Sequence, residues 1–358
     1  MDKKRIVRYV VIAVILLFGV YWSLASARPG KDYPESDYLV SGAWLKQHVD
    51  DKGLVIVDMR NDKNFDGKLI PGAIRLPWGD FRYNNVVLGI GGLFIGPDQA
   101  QQVLGNHGIS RNDTLILYDS VASDGGATAS YLFWILDLLG HENKKILERG
   151  IDGWLAAGGE VVSEPKKLEP MLYQAPLKDI QLRSWVDGEF IYKRLGDPYY
   201  QIVDVRSREE YLGEKPNIGL DGQVLKLGHI PTAVNVDYRL NWSDPKTKSL
   251  KSYEQLRELY RGLDPSKGVI VYCHSGRRSS FSYYVLRLMG FDDVILYDRS
   301  WFEWGNGLTY FPVESIENQL AGSSLPGPGS RPSAMARPIQ QKSPTMKAPK
   351  GGYVSCGG

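Results

Sequence analysis

The sequence predicts an α/β protein made of two tandem domains, each built on a mostly parallel sheet flanked by helices. Short all-apolar segments alternate with amphipathic helical stretches, which is typical of parallel strands covered on both faces. The same series of segments occurs twice in the same order, with an offset of roughly 150 residues between the copies. The chain has 358 residues, of which 43% are hydrophobic and 23% charged, and is therefore long enough to form two cores.

Each apolar segment of the first copy has a counterpart in the second. The matched segments are 56–60 and 202–206, 70–74 and 230–234, 115–119 and 269–273, and 145–147 and 294–296. Because chance similarity rarely keeps this order, we interpret the chain as a duplicated domain. We place domain 1 at 28–168, a linker at 169–184 and domain 2 at 185–316.

One cysteine of the second copy is the candidate for chemistry. Cys273 comes directly after the apolar segment 269–272, and a helix is predicted over 279–289. A side chain at this place faces unpaired backbone N–H groups and the positive end of the helix dipole. Arg277 and Arg278 add to the positive field, which favours a thiolate nucleophile. The equivalent residue of the first copy is Asp119, in a loop without thiol or arginine, so we expect domain 1 to be non-catalytic.

Composition excludes several other classes of function. The 43 Lys and Arg residues nearly balance the 41 Asp and Glu residues, so neither nucleic acid nor another polyion is an expected partner. Two cysteines cannot form a disulfide scaffold. The five histidines are scattered and no cysteine pair brackets them, so we predict no metal site, and no cofactor is expected.

The N-terminal residues 1–27 have the pattern of an export segment. Four basic residues lie within the first eight, an apolar run follows over 9–25, and Ala25-Ser26-Ala27 has the form of a signal-peptidase site. The run is longer than a usual signal core of ~7–15 residues and shorter than the ~20 residues that span a bilayer. It is therefore either a signal peptide cleaved after Ala27 or an uncleaved membrane anchor. Both alternatives predict an exported protein that is periplasmic or faces the periplasm, with membrane contact only through this segment.

The C-terminal residues 317–358 are rich in Pro, Gly and Ser and lack apolar periodicity, so we expect a disordered tail. The tail carries Cys356, which is flanked by small residues. Two interpretations stay open for this thiol. It is either unpaired and without a role, or it reaches Cys273 to form a disulfide or accept sulfur.

Several motifs together resemble the tandem-domain rhodaneses, the thiosulfate/3-mercaptopyruvate sulfurtransferase family, over about residues 37–310. The first copy contributes Asp58-x-Arg60 and Ile70-Pro71-Gly72-Ala73. The second contributes Asp204-x-Arg206, Gly228-His229-Ile230-Pro231, the loop Cys273-His274-Ser275-Gly276-Arg277-Arg278 and Ser300-Trp301-Phe302-Glu303-Trp304. Asp119 at the position equivalent to Cys273 also fits this resemblance, because the first domain of the family is usually inactive.

The resemblance implies a two-step transfer of sulfur. The Cys273 thiolate attacks the outer sulfur of a small anionic donor, and cyanide or a thiol then removes that sulfur from the resulting persulfide. Arg278 is assigned to the donor or leaving-group anion, with Arg277 as helper. The backbone N–H groups of His274, Ser275 and the following residues up to Ser279 should surround the persulfide. Gly276 should allow the tight turn that this requires.

Three further side chains, His274, His229 and Trp301, each have two alternative roles. His274 either shifts the charge of the thiol or contacts substrate, or it is a passive histidine in an exposed loop. His229 and Trp301 are secondary candidates for the site, for which structural roles weigh more. Asp204 and Arg206 are expected to form a structural ion pair.

The donor and the reaction class have alternatives. Glu210 stands just before Tyr211, where thiosulfate-using tandem members tend to place an arginine, so thiosulfate, 3-mercaptopyruvate and a polysulfide all stay open. A related cysteine-loop phosphatase or arsenate reductase would need a longer loop than the four residues between Cys273 and Arg278. A non-enzymatic persulfide carrier or redox-binding module is the other alternative.

Overall fold

Two parallel sheets, one for each copy of the repeat, form the centre of the protein and confirm the predicted α/β fold. The computed structural model describes residues 32–315. The predicted export segment and the predicted tail with Cys356 lie outside the described residues. Within 32–315, no helix has both the length and the apolar character needed to cross a bilayer.

The first sheet has five parallel strands in the order β1-β7-β6-β2-β3. Its strands are β1 (Leu39–Val40), β2 (Leu54–Asp58), β3 (Ile74–Arg75), β6 (Thr114–Tyr118) and β7 (Lys144–Leu147). Helices make the crossovers that parallel strands require. They are α1 (Gly42–His48), α2 (Pro97–Asn106), α3 (Ala129–Leu138) and α4 (Gly150–Ala156).

The second sheet repeats this arrangement with four parallel strands in the order β13-β12-β8-β9. Its strands are β8 (Tyr200–Asp204), β9 (Val234–Asn235), β12 (Gly268–Tyr272) and β13 (Val294–Leu296). Trp185 forms a parallel bridge to Leu296 and so takes the place that β1 has in the first sheet. The helices are α5 (Gly188–Tyr192), α6 (Arg208–Leu212), α7 (Tyr253–Leu259), α8 (Arg277–Leu288) and α9 (Ser300–Trp304).

An apolar cluster continues from one copy into the other because α3 and α8 pack against each other. Phe133 on α3 meets Tyr284 on α8 edge to face, with ring centroids 5.0 Å apart. At the start of the two helices, Ser130 and Ser280 place their hydroxyl oxygens 3.2 Å apart. Each of these helices follows directly on the loop at the end of a central strand, β6 or β12. The helix packing therefore brings the two loops to the same interface.

Each domain also extends a hairpin across the other. The first hairpin consists of β4 (Arg82–Asn85) and β5 (Ile90–Phe94), and the second of β10 (Trp242–Asp244) and β11 (Ser249–Leu250). The Phe94 N–H donates to Asp298 of domain 2 at 2.9 Å. In the reciprocal contact, the Leu250 N–H donates to Glu148 of domain 1 at 3.2 Å. The duplication has thus produced a pair of exchanged hairpins.

The Asp-x-Arg motif at the end of β8 forms a buried ion pair, as the sequence predicts. Arg206 Nη2 lies 2.6 Å from Asp204 Oδ2, and both side chains are fully buried. The Tyr272 hydroxyl donates to the same carboxylate oxygen at 2.7 Å, so the pair ties β8 to β12. Taking both charges out of water is costly, and additional hydrogen bonds to the carboxylate and the guanidinium, such as that from Tyr272, offset part of this cost.

The Arg206→Gln substitution will lower the free energy of unfolding by about 3–5 kcal/mol, because it leaves Asp204 as an uncompensated buried charge. The chain contains a matched control in Arg239, which makes the same 2.6 Å bond to Asp237 two residues earlier but is 53% exposed. Arg239→Gln will cost less than ~1 kcal/mol, because solvent already screens that pair. Urea denaturation followed by tryptophan fluorescence compares the two variants; equal losses would contradict the structural role of the buried pair.

Candidate active site

Cys273 is the first residue after β12 and lies at the carboxyl edge of the second sheet, where ligands bind in open α/β sheets. Within residues 32–315 its thiol forms no disulfide, and the residue is 1% exposed. The backbone is fixed on both sides: the Cys273 N–H donates to Ser300 Oγ at 3.0 Å, and the carbonyl accepts from the Trp301 N–H at 3.1 Å. The first turn of α9 therefore fixes the position of the thiol.

Polar groups of the loop converge on the sulfur. The Ser275 N–H lies 3.4 Å from Cys273 Sγ, and Ser279 Oγ lies 3.5 Å from it. Gly276 makes the turn possible with a φ of +88°, and α8 begins at the next residue, two residues earlier than predicted. A Cβ at position 276 would also lie 2.4 Å from Asp298 Oδ1. Only glycine suits this position, for reasons of both conformation and space.

The two loop arginines both contact carboxylates. Arg278 makes a bidentate pair with Glu210, at 2.7 and 2.9 Å. Arg277 donates to Asp124 Oδ2 at 3.0 Å. Burial raises the pKa of Glu210, but the hydrogen bonds and charge of Arg278 more than offset this and lower it to about 2. The positive charge of the loop is therefore largely balanced by Glu210 and Asp124.

Asp124 comes from domain 1, from the loop after β6 that corresponds to the cysteine loop. Its carboxylate also accepts a hydrogen bond from the Tyr238 hydroxyl at 3.0 Å. From the repeat we expected this loop to be only structural, and the sequence did not predict that one of its carboxylates would face the loop of Cys273. Asp124 and Arg277 are 153 positions apart, and no local pattern signals their contact.

His274 is buried, and the expectation of an exposed loop histidine is wrong. The residue is 8% exposed because its ring stacks on Phe302 at 4.3 Å. Its Nε2 lies 3.1 Å from the Ile218 carbonyl oxygen. The ring thus anchors the start of the loop to α9 and to the segment before β9.

The two secondary candidates from the sequence make contacts with protein groups. His229 stacks on Tyr211 at 3.7 Å, and its Nδ1 lies 2.8 Å from the Tyr211 carbonyl oxygen. Trp301 donates from its indole N–H to the Lys226 carbonyl at 3.0 Å, and its ring lies 4.1 Å from the Arg206 guanidinium carbon. These contacts account for both side chains in the structure of domain 2.

The corresponding loop of domain 1 surrounds a carboxyl group, that of Asp119. Asp119 is completely buried and accepts backbone hydrogen bonds from Gly126 at 2.7 Å, Thr128 at 2.9 Å and Ala129 at 3.2 Å. Burial raises the pKa of Asp119 to about 7, although the three N–H groups act in the opposite direction. Because the carboxyl group accepts these three N–H groups, they are not available in domain 1 to a substrate anion.

Comparison with protein families finds two matches in the chain. The model of the rhodanese-like domain matches residues 41–157 and again residues 189–306. These matches lie within the two domains placed from the sequence.

The chain is similar along most of its length to curated bacterial proteins. It is 33% identical over 291 residues to a putative thiosulfate sulfurtransferase of Saccharopolyspora erythraea, covering 80% of this chain and 99% of the relative. It is 32% identical over 283 residues to the sulfur carrier protein TtuD of Thermus thermophilus, covering 76% and 95%. A thiosulfate sulfurtransferase of Corynebacterium glutamicum is 30% identical over 298 residues, covering 80% and 94%.

Solved structures share the fold. A persulfide form of EanB with ergothioneine superposes with a TM-score of 0.70 at 23% identity, covering 81% of this chain and 73% of the other. An anaerobic ergothioneine biosynthesis enzyme from Chlorobium limicola gives a TM-score of 0.66 at 23% identity, covering 82% and 74%.

The Glu210→Gln substitution will destabilise the protein by ~3–5 kcal/mol near neutral pH, because Arg278 loses its charged partner in a largely buried place. The lowered pKa gives the sign of the pH dependence. The contribution of Glu210 is fully present above its ordinary pKa of 4.5 and is lost as the pH falls towards 2.

Urea denaturation of wild type and variant between pH 7 and pH 3 therefore shows a difference in stability that narrows below about pH 4.5. The exposed pair of Arg261 and Glu258 supplies the control, since Glu258→Gln removes a carboxylate that solvent already screens. A difference for Glu210→Gln that stays constant over this range would contradict the assignment.

Proposed function

The chain belongs to the rhodanese family, and from this membership we propose that Cys273 carries sulfur as a persulfide from a small anionic donor to cyanide or a thiol. The protein is a sulfurtransferase with a non-catalytic first domain and a catalytic second domain. The resemblance read from the sequence motifs is thereby confirmed.

The observation that carries the proposal is the carboxylate of Asp119. From Cα outward, an aspartate and a cysteine persulfide have the same number of bonds to their terminal atoms. The oxygens of Asp119 thus stand where the outer sulfur of a persulfide would stand in an equivalent loop, and three N–H groups point at them. Domain 1 supports the proposal because it holds a carboxyl group, as a fixed part of the chain, where the cysteine loop would hold the outer sulfur only during the reaction.

The repeat indicates which backbone N–H groups donate hydrogen bonds to the persulfide. Gly126 and Gly276 correspond: each has a positive φ, and each carbonyl accepts the N–H of the serine four residues later, Ser130 or Ser280. Counting from these glycines, the N–H groups of Gly126, Thr128 and Ala129 correspond to those of Gly276, Arg278 and Ser279. We assign the latter three to the outer sulfur.

The reaction is balanced without a cofactor. The Cys273 thiolate attacks the outer sulfur of the donor, the donor's bond to that sulfur breaks, and the leaving group departs with the electron pair, as sulfite if the donor is thiosulfate. A thiolate or cyanide then attacks the outer sulfur of the persulfide. The sulfur–sulfur bond breaks and the Cys273 thiolate is restored.

The carboxylates beside the loop arginines bear on the choice of donor. Thiosulfate brings two negative charges, while Glu210 and Asp124 already occupy the guanidinium groups of Arg278 and Arg277. A donor with one negative charge meets less repulsion from these carboxylates. We therefore propose that thiosulfate or a similar small anionic donor is used, and that a donor with one negative charge, such as 3-mercaptopyruvate, binds with less repulsion.

Incubation of the purified protein with each donor, followed by mass spectrometry, tests the nucleophile and the donor together. We expect a gain of one sulfur atom on the peptide that contains Cys273, and none in Cys273→Ala. Multiple turnovers with cyanide or a small thiol are expected, and none with p-nitrophenyl phosphate. Sulfur gained by the Cys273→Ala variant would contradict the assignment, and hydrolysis of the phosphate ester alone would favour the phosphatase alternative.

The same experiment addresses the carrier alternative, which the name of the Thermus thermophilus relative favours. A carrier would gain sulfur stoichiometrically but would not turn over repeatedly with small acceptors. A Cys356→Ser variant compared in both assays separates a role of that thiol in transfer to thiol acceptors from no role.

We also propose that the protein is exported and either periplasmic or held at the membrane by residues 1–27. The basic start, the apolar run and the cleavage-site form of Ala25-Ser26-Ala27 support this proposal. Cell fractionation and the intact mass of the recovered protein test it. A mature chain without residues 1–27 indicates cleavage, a full chain in the membrane fraction indicates an anchor, and a full chain in the cytoplasm contradicts export.

A further inference from the structure

The hairpin that domain 1 extends over the cysteine loop begins with Arg82. Its guanidinium Nη2 donates to the Ser275 carbonyl in the loop, and its Nε donates to the Gly92 carbonyl at 2.7 Å. The rings of Trp78 and Tyr131 lie 4.4 and 5.1 Å from the guanidinium carbon. Hydrogen bonds and cation–π contacts thus orient this side chain from several sides.

The opposite strand of the hairpin leaves space for the guanidinium. Gly92 has a φ of +66°, and a Cβ at this position would lie 2.2 Å from Arg82 Nη2. A side chain there would displace Arg82 without removing its charge. The glycine thus preserves the position of the arginine.

The two exchanged hairpins differ at this residue. Each begins directly after a short 3₁₀ helix, Trp78–Phe81 in domain 1 and Tyr238–Asn241 in domain 2, so that Arg82 corresponds to Trp242. The hairpin that crosses the cysteine loop carries the guanidinium, whereas the one that crosses the loop of Asp119 carries an indole. A general need to hold the domains together does not explain this difference, because both hairpins serve that need.

The carbonyl that Arg82 binds belongs to the peptide unit between Ser275 and Gly276. In a trans peptide the C=O and the N–H point in opposite directions, so a donor that holds the carbonyl outward holds the N–H inward. The N–H of this peptide unit belongs to Gly276, whose counterpart in domain 1, Gly126, makes the shortest of the three bonds to Asp119, at 2.7 Å. A cation on the carbonyl also polarises the peptide and strengthens its N–H as a donor.

We propose that Arg82 is a positioning residue of the sulfurtransferase: from the non-catalytic domain, it fixes and polarises the Ser275–Gly276 peptide so that the Gly276 N–H stabilises the anionic sulfur on Cys273. This inference rests on the proposed function. It assigns to domain 1 a part in the reaction, which acts through the backbone of the other domain.

The test compares Arg82→Gln, Arg82→Lys and the control Arg149→Gln in the full chain. Arg149 is the matched control because it also donates from domain 1 to a backbone carbonyl of domain 2, that of Thr247 at 3.1 Å, but on the hairpin over the loop of Asp119. For Arg82→Gln we expect the rate of persulfide formation at saturating donor to fall on the order of 10²-fold, with little change in the donor's KM. Arg82→Lys should recover part of this rate because it keeps the charge, and Arg149→Gln should retain the wild-type rate.

The amide resonance of Gly276 gives a readout that a purely structural role would not move. We expect it to shift upfield in Arg82→Gln, because the peptide loses the cation on its carbonyl. If Arg82→Gln does not fold, two other variants serve instead. Gly92→Ala displaces the guanidinium and Arg82→Lys replaces it with an amine, and each should lower the rate of persulfide formation below that of wild type.

The outcomes separate this inference from the proposed function. If wild type gains no sulfur from any donor, the proposed function fails. If wild type is active and a folded Arg82→Gln keeps its rate, the positioning role fails while the proposed function stands. An equal loss of rate in Arg149→Gln would show that Arg82 acts only by holding the domains together.

Discussion

The convergence of backbone N–H groups on one point, at the start of the helix that follows the central strand, is the constraint on which the rest of the structure depends. Such groups are costly when buried without a partner, so each copy of the domain must supply an acceptor. Domain 1 supplies the carboxyl group of Asp119, which is a fixed part of the chain. Domain 2 supplies the sulfur of Cys273, which in the proposed reaction gains and loses a further sulfur atom. A scaffold and a catalyst therefore differ here in whether the acceptor is fixed or exchangeable.

The charges around the cysteine loop follow from the same constraint. The loop would carry two uncompensated guanidinium groups if Glu210 and Asp124 did not face them. These carboxylates hold the arginines in defined positions, and they also lower the attraction for a doubly charged donor. Stability of the empty loop and affinity for the donor are therefore opposed. Arg82 adds a further positive charge beside the loop, but it belongs to domain 1 and contacts the loop through the Ser275 carbonyl.

The fold and the nucleophile could be predicted from the sequence, but the side chains that surround the nucleophile could not. The parallel sheets and the position of Cys273 follow from apolar segments that repeat in order, a signal that is local. The contacts of Arg277 with Asp124 and of Ser275 with Arg82 join residues 153 and 193 positions apart. They depend on how α3 and α8 pack, which periodicity does not report. The burial of His274 was missed for the same reason, since Phe302 and Ile218 cover it from distant segments.

The exchanged hairpins have a consequence for whether either domain can stand alone. Once Phe94 of one copy pairs with Asp298 of the other, and Leu250 with Glu148, neither copy is complete alone. Domain 2 alone would expose the face of α8 and leave Asp298 without the Phe94 N–H, and domain 1 alone would leave Glu148 without the Leu250 N–H. The exchange therefore makes each copy part of the folded structure of the other. Domain 1 is needed for the shape of the cysteine loop although it has no thiol at the equivalent position.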